Sequence, residues 1–177
     1  MILPPAQAQE FLTLYKSLLQ YIFFNEFGEE VKSLDDYIEA RDILFEDTDI
    51  VNEFTSREEK LKKHHKIILK NIQNGIKETF IYLKTLKRHS LLLNSSSNLI
   101  YCVLGITDSI EQLIPDKFSI IDTAILNFGN KIICDGLIRH HNVTIGKNMR
   151  KDINFQYKLL RENNQLIKYI PAKVFGY

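Results

Sequence analysis

Between residues 11 and 23 apolar side chains recur with the period of a helix. Phe11, Leu14, Tyr15, Leu18, Leu19, Ile22 and Phe23 lie three and four positions apart and so share one face. Pro4 and Pro5 suit the start of that helix, and Gly28 suits its left-handed cap. Ser33 with Asp36 predicts a capping box that opens a second helix, with Tyr37, Ile38, Leu44 and Phe45 turned inward. Asp49 predicts a short turn through Ile50, Val51 and Phe54. Ser56 with Glu59 predicts another capped start, for a helix that carries Leu61, His65, Ile68, Leu69 and Ile72 on one face and ends near Gly75.

Beyond Gly75 the period shortens to that of strands. Residues 79–83, 90–93 and 99–106 read as extended, with Asn94 to Asn98 as the turn before the third. Asp108 with Glu111 predicts a single helical turn that Pro115 stops. Residues 118–126 and 131–134 read as a hairpin closed over Asn127 to Asn130, and Asp135-Gly136 as a turn into a further strand reaching Ile145. Asn148 is expected to cap a last helix with Met149, Ile153, Tyr157 and Leu160 inward, before an extended tail from Gln165 to Ile170. The expected class is α+β, with N-terminal helices followed by a small, mainly antiparallel sheet and a C-terminal helix. No repeat or linker interrupts the pattern. One domain over 1–177 is expected: a helical part (1–75), a sheet (76–146), then a helix and tail (147–177).

Composition narrows the function classes. At 45% hydrophobic and 25% charged over 177 residues, the chain can bury a core and is not of the disordered class. No apolar run reaches the roughly 18 residues of a membrane span, the first residues lack the features of a secretory signal, and a cytoplasmic location is expected. Cys102 and Cys134 are too few for a disulfide framework and sit in apolar runs, where a thiol behaves as a small hydrophobe.

Two stretches resemble a group of small bacterial proteins without an assigned activity. They are Tyr101-Cys-Val-Leu-Gly-Ile-Thr-Asp-Ser-Ile-Glu-Gln-Leu-Ile-Pro115 and Asp122-Thr-Ala-Ile-Leu-Asn-Phe-Gly-Asn-Lys-Ile-Ile-Cys-Asp-Gly-Leu-Ile138. The group is similar in an N-terminal helical part, a VLGITDPIEEL-P segment and a TVLLPF-GKIIYDGLI hairpin. The likeness covers about 79–161 and departs at Asn127, where the group has proline, and at Cys134, where it has tyrosine. It implies the order of elements and no catalytic residue.

Signatures of chemistry are few. HExxH, CxxC and HxH spacings are missing, and the adjacent pairs His64-His65 and His140-His141 are expected to point their rings apart, so no metal is expected. No phosphate-cradling glycine loop occurs, and no cofactor is implied. A nucleophile built from Ser90 or Cys134 with His140 or His141 lacks the GxSxG elbow, and Cys134 sits in a strand where nothing favours its thiolate.

The net charge of +1 conceals segregation. Residues 1–53 carry twelve acidic and three basic side chains, whereas residues 57–89 carry ten basic and three acidic. Charge divided in this way can serve partner binding. Two surfaces are candidates. One runs from the Asp135 turn through Arg139, His140 and His141 to Lys147, Arg150 and Lys151 at a helix start, where loops, donors and open amides meet. The other is the basic face of Lys62, Lys63 and Lys66. The leading expectation is a non-enzymatic binding or regulatory protein that acts through a protein partner, an inhibitor-type module being one form. Binding of RNA or single-stranded nucleic acid ranks second, and a small hydrolase third.

Overall fold

The computed structural model describes residues 1–171. Four helices come first: α1 (Pro5–Phe27), α2 (Leu34–Glu46), α3 (Ile50–Arg57) and α4 (Lys63–Gln73). Strands follow as β1 (Ile76–Thr85), β2 (Ser90–Asn94) and β3 (Ile100–Leu104), then the short helix α5 (Ile110–Leu113). The chain continues through β4 (Ile120–Phe128), β5 (Lys131–Cys134), β6 (Arg139–His141) and α6 (Lys147–Glu162). The expected α+β order is present. The part of the expected tail region beyond 171 lies outside the described residues.

The strand pairing closes on itself. Five strands run β1-β2-β3-β5-β4, and β4 pairs back onto β1 from Ile76↔Ile125 to Ile81↔Ile120. All of these contacts are antiparallel except β3 with β5. A bulge between Tyr82 and Lys84 bends β1, so its first half serves β4 and its second half β2. β6 pairs with β4 through Ile120↔His141 and Asp122↔Arg139, continuing the track of β5.

Alternation along the strands then sorts side chains into two layers. Phe80, Tyr82, Leu92, Tyr101, Val103, Ile121, Ile125 and Ile132 fill the inside of the barrel, and Ile110 and Ile114 of the α5 region join them. The outer positions are also covered. Ile81, Leu83, Leu91, Leu93, Ile100 and Cys102 lie under Ile153 and Tyr157 of α6. Leu126, Ile133 and Leu137 lie under α1 to α4. Burial on both faces explains why the strands read as continuous apolar runs. Leu14, Leu18, Ile22, Leu69, Ile72, Val103, Leu104, Ile121, Ile133 and Tyr157, the positions that the apolar pattern marks for the core, are all buried.

Several local expectations are corrected. Ser56 starts no helix; it lies within α3 and donates its hydroxyl to the Asn52 carbonyl four residues back. α4 begins at Lys63 without a side-chain cap. The box before α5 is formed by Ser109 and Gln112, in place of Asp108 and Glu111. α6 starts after Gly146 with no cap from Asn148, and Met149 faces outward at 57% exposure. The fold has no room for a side chain at Gly105, where a Cβ would stand 1.8 Å from the Asp108 carbonyl oxygen.

Among the described residues no helix is long and apolar enough to cross a membrane. Truncating Phe80 to Ala inside the barrel is expected to cost about 3–5 kcal/mol, whereas Phe155→Ala on the exposed face of α6 changes stability by about 0.5 kcal/mol or less. Urea unfolding of the two variants checks the contrast.

Candidate functional site

Asp135 does not belong to a surface. It follows β5, is 3% exposed, and accepts hydrogen bonds from the Tyr15 hydroxyl (3.1 Å), the Thr123 hydroxyl (3.0 Å) and the Leu137 amide (3.1 Å). Arg41 of α2 places Nη1 3.6 Å from its carboxylate and donates from the same nitrogen to the Leu137 carbonyl at 2.6 Å. Burial pushes the Asp135 carboxyl up, and Arg41 with the surrounding donors pulls it back. Burial by itself would lower Arg41, but Asp135 and Asp42 outweigh it and the guanidinium is raised. This group fastens helices to barrel; the expected binding role for Asp135 is corrected for that reason.

Arg139 is exposed but committed, pairing with Asp42 at 3.2 Å. Its neighbours go elsewhere. His140, His141 and Arg150 line an open cleft of about 500 Å³ together with Asp116, Lys117, Phe118 and Ile145. His141 pairs with Asp122 at 2.9 Å. Arg150 lies over the Phe118 ring, 5.3 Å from its centre, and donates from Nε to the Ile145 carbonyl at 2.8 Å. Phe118 itself is in the left-handed region at φ 66°, a strained place for an aromatic residue. Its amide donates to the Tyr82 carbonyl at 2.6 Å, and the next residue, Ser119, accepts from the Tyr82 amide at 2.9 Å.

Positive charge extends from this cleft along the barrel. Lys84 of β1 sits over the Tyr157 ring at 4.3 Å. It lies below the usual lysine range, first because of burial and then through repulsion by Arg161, Lys117 and Lys158. None of the ion pairs among the described residues involves Lys84, Lys117, Arg150, Lys158 or Arg161. Lys147 and Lys151 are exposed in the first turns of α6, and Phe155 on the same helix is 64% exposed. The structure therefore gathers His140, His141, Arg150 and the nearby Lys147 and Lys151, and adds Lys84, Lys117, Lys158 and Arg161. A helical projection of residues 147–162 places Lys151, Phe155 and Lys158 opposite Ile153 and Tyr157; that was the available signal. Lys84 and Lys117 are far apart in sequence and gave none.

Lys62, Lys63 and Lys66 are exposed at the start of α4 and line a different part of the molecule. There the expectation of opposed histidines fails. The rings of His64 and His65 are 4.3 Å apart and both turn to Glu10 of α1. A third feature is acidic: Glu26, Asp35, Glu39, Asp42 and Glu46 surround Phe27 and Ile43 in a groove between α1 and α2.

Thiol chemistry is poorly supported. Cys134 is fully buried, its thiol pushed up to about 12 by burial and by Asp135. Cys102 is also buried and raised.

No family model, curated protein or solved structure matches the chain. The strand order closes as 1-2-3-5-4-1, with the short helix α5 between the third and fourth strands.

Two outcomes test the buried chemistry. Arg41→Ala and Asp135→Ala are each expected to cost about 3–5 kcal/mol, because each leaves an unpaired charge inside. Replacing Arg41 with Met and Asp135 with Leu together is expected to cost less than the two single losses combined, by urea unfolding. Neither thiol is expected to react with a disulfide reagent at pH 8 until denaturant is added; fast labelling of native protein would contradict the burial described.

Proposed function

We propose that the protein binds single-stranded nucleic acid along the arc from the His140–Arg150 cleft over Lys117 and Lys84 to Lys158 and Arg161. The single observation that carries this reading is the convergence of unpaired cations from β1, the segment before β4, and α6. Lys84 lies over the Tyr157 ring at 4.3 Å, beside the helix that carries Lys158 and Arg161. Such an arrangement costs folding energy through repulsion, and an anionic polymer relieves it by exchanging condensed counterions for side chains. The exposed Phe155 supplies a flat surface on which an unpaired base can stack.

A second reading, binding of a basic protein segment, rests on the acidic groove between α1 and α2. Five carboxylates ring two apolar side chains there, and Arg139 is the one basic residue lining it. That arrangement complements a partner helix or loop with alternating basic and apolar residues.

Fluorescence anisotropy with labelled single-stranded DNA and RNA separates the readings. Binding is expected at low salt, weakening as salt rises with a slope of about −0.7 per phosphate contacted. Lys117→Glu, Lys158→Glu and Arg161→Glu together are expected to abolish binding while leaving the thermal midpoint nearly unchanged, since exposed charges contribute only ~0–1 kcal/mol each. Phe155→Ala is expected to weaken binding by about 1–3 kcal/mol for a lost stacking contact. Oligonucleotides that leave anisotropy flat at low salt, with a basic peptide binding instead and lost on Glu39→Lys, would replace the first reading with the second.

A further inference from the structure

The geometry points to a binding site for a divalent transition-metal ion at Glu10, His64 and His65, independent of the nucleic-acid surface. Each of the three offers one ligand atom, and all three atoms lie within 4.8 Å of one another. His64 Nε2 is 2.6 Å and His65 Nε2 3.6 Å from the same Glu10 carboxylate oxygen. Tetrahedral zinc with bonds of about 2.0–2.2 Å holds its ligand atoms about 3.3 Å apart, and the two observed separations bracket that value. Small rotations of side chains that are part exposed would seat the ion. Two imidazoles and one carboxylate also form a ligand set suited to zinc, with a fourth position left for water or another ligand.

The placement is informative in its own right. α1 and α4 are separate in sequence, and both histidines lie in the first turn of α4, where no side chain caps the helix. As a metal-free contact the cluster is awkward: one carboxylate serves two imidazoles whose rings meet edge to face. A metal uses both rings in neutral form and joins α1 to α4. The groove beside Glu10 and His65 is lined by Thr13, Ser17, Glu58 and Lys60, so groups that could meet the remaining position are close at hand. His140 and His141 offer no comparable set, because His141 is taken by Asp122.

The test uses the full chain with its purification tag removed and chelator-treated. Titration calorimetry with Zn²⁺ is expected to show one equivalent bound with release of protons, and affinity falling as pH drops through the histidine range. Co²⁺ in place of zinc is expected to give the intense visible bands of a four-coordinate site. His64→Ala and Glu10→Gln, both at part-exposed positions, are each expected to lower affinity by at least about tenfold. Oligonucleotide binding by these variants is expected to stay unchanged, which keeps the two proposals separable. Unsaturable titration, the pale spectrum of six-coordinate cobalt, or full affinity in the His64→Ala variant would overturn the assignment.

Discussion

The ion pair of Arg41 with Asp135 is the contact on which the arrangement of the two halves depends. The residues come from α2 and from the turn after β5, and both are inaccessible to water. A charge in that position is tolerated only with its counterpart, and the surrounding donors serve the same end. Tyr15 reaches it from α1 and Thr123 from β4, so four elements distant in sequence meet at one carboxylate. Apolar packing between helices and barrel would accept small shifts in register. The carboxylate does not, because each donor has a direction and a length. One nitrogen of Arg41, Nη2, is buried without a protein partner, which marks this joint as polar at its centre.

Fixing the helices against β4 and β5 settles where charge can go. The acidic layer made by residues 1–53 is partly neutralised by the strands, since Asp42 takes Lys77 of β1 and Arg139 of β6. Arg139 reads in sequence like a free binding cation and is consumed in this way. α6 lies against the outer face of the other three strands, where the neighbouring segments are basic too. Its cations and those of Lys84 and Lys117 meet no acid of the helical layer. The segregation seen along the chain thus becomes a difference between two sides of one barrel.

Much of this was legible in the sequence, for identifiable reasons. The 3.6-residue stripe of α1 and the period-two and fully apolar strands report burial directly, and burial is what fixes those elements. Capping boxes were less dependable. Ser33 with Asp36 closes as expected, yet Ser56 has the same local pattern and lies inside a helix, because packing of Val51 and Phe54 carries α3 past it. The closed barrel could not be read, since closure depends on a bulge in β1 and on pairings across the whole sheet region. Asp135 was misread because a turn dipeptide looks exposed until α1 and α2 cover it. Asn127 shows the same limit from the other side. Its side chain holds the Ile170 backbone by two bonds, 2.7 and 3.0 Å long, docking the tail on the barrel, and nothing near residue 127 in sequence announces it.

The covering of the barrel also bears on how its topology is to be used. Every residue of β2 and of β3 is buried, so these strands present no open face to solvent. α6 lies over their outer positions. A polymer held here must therefore be held by side chains of the helix and of the loops at its edge, which is where the unpaired cations and the exposed Phe155 are found. The strained Phe118 fits the same account. An aromatic residue at φ 66° is held by Tyr82, which bonds the Phe118 amide and the Ser119 carbonyl, and the conformation sets its ring beneath Arg150 at the cleft. The same ring packs against the core layer under α6, so packing and the Tyr82 contacts together hold the strained backbone in place.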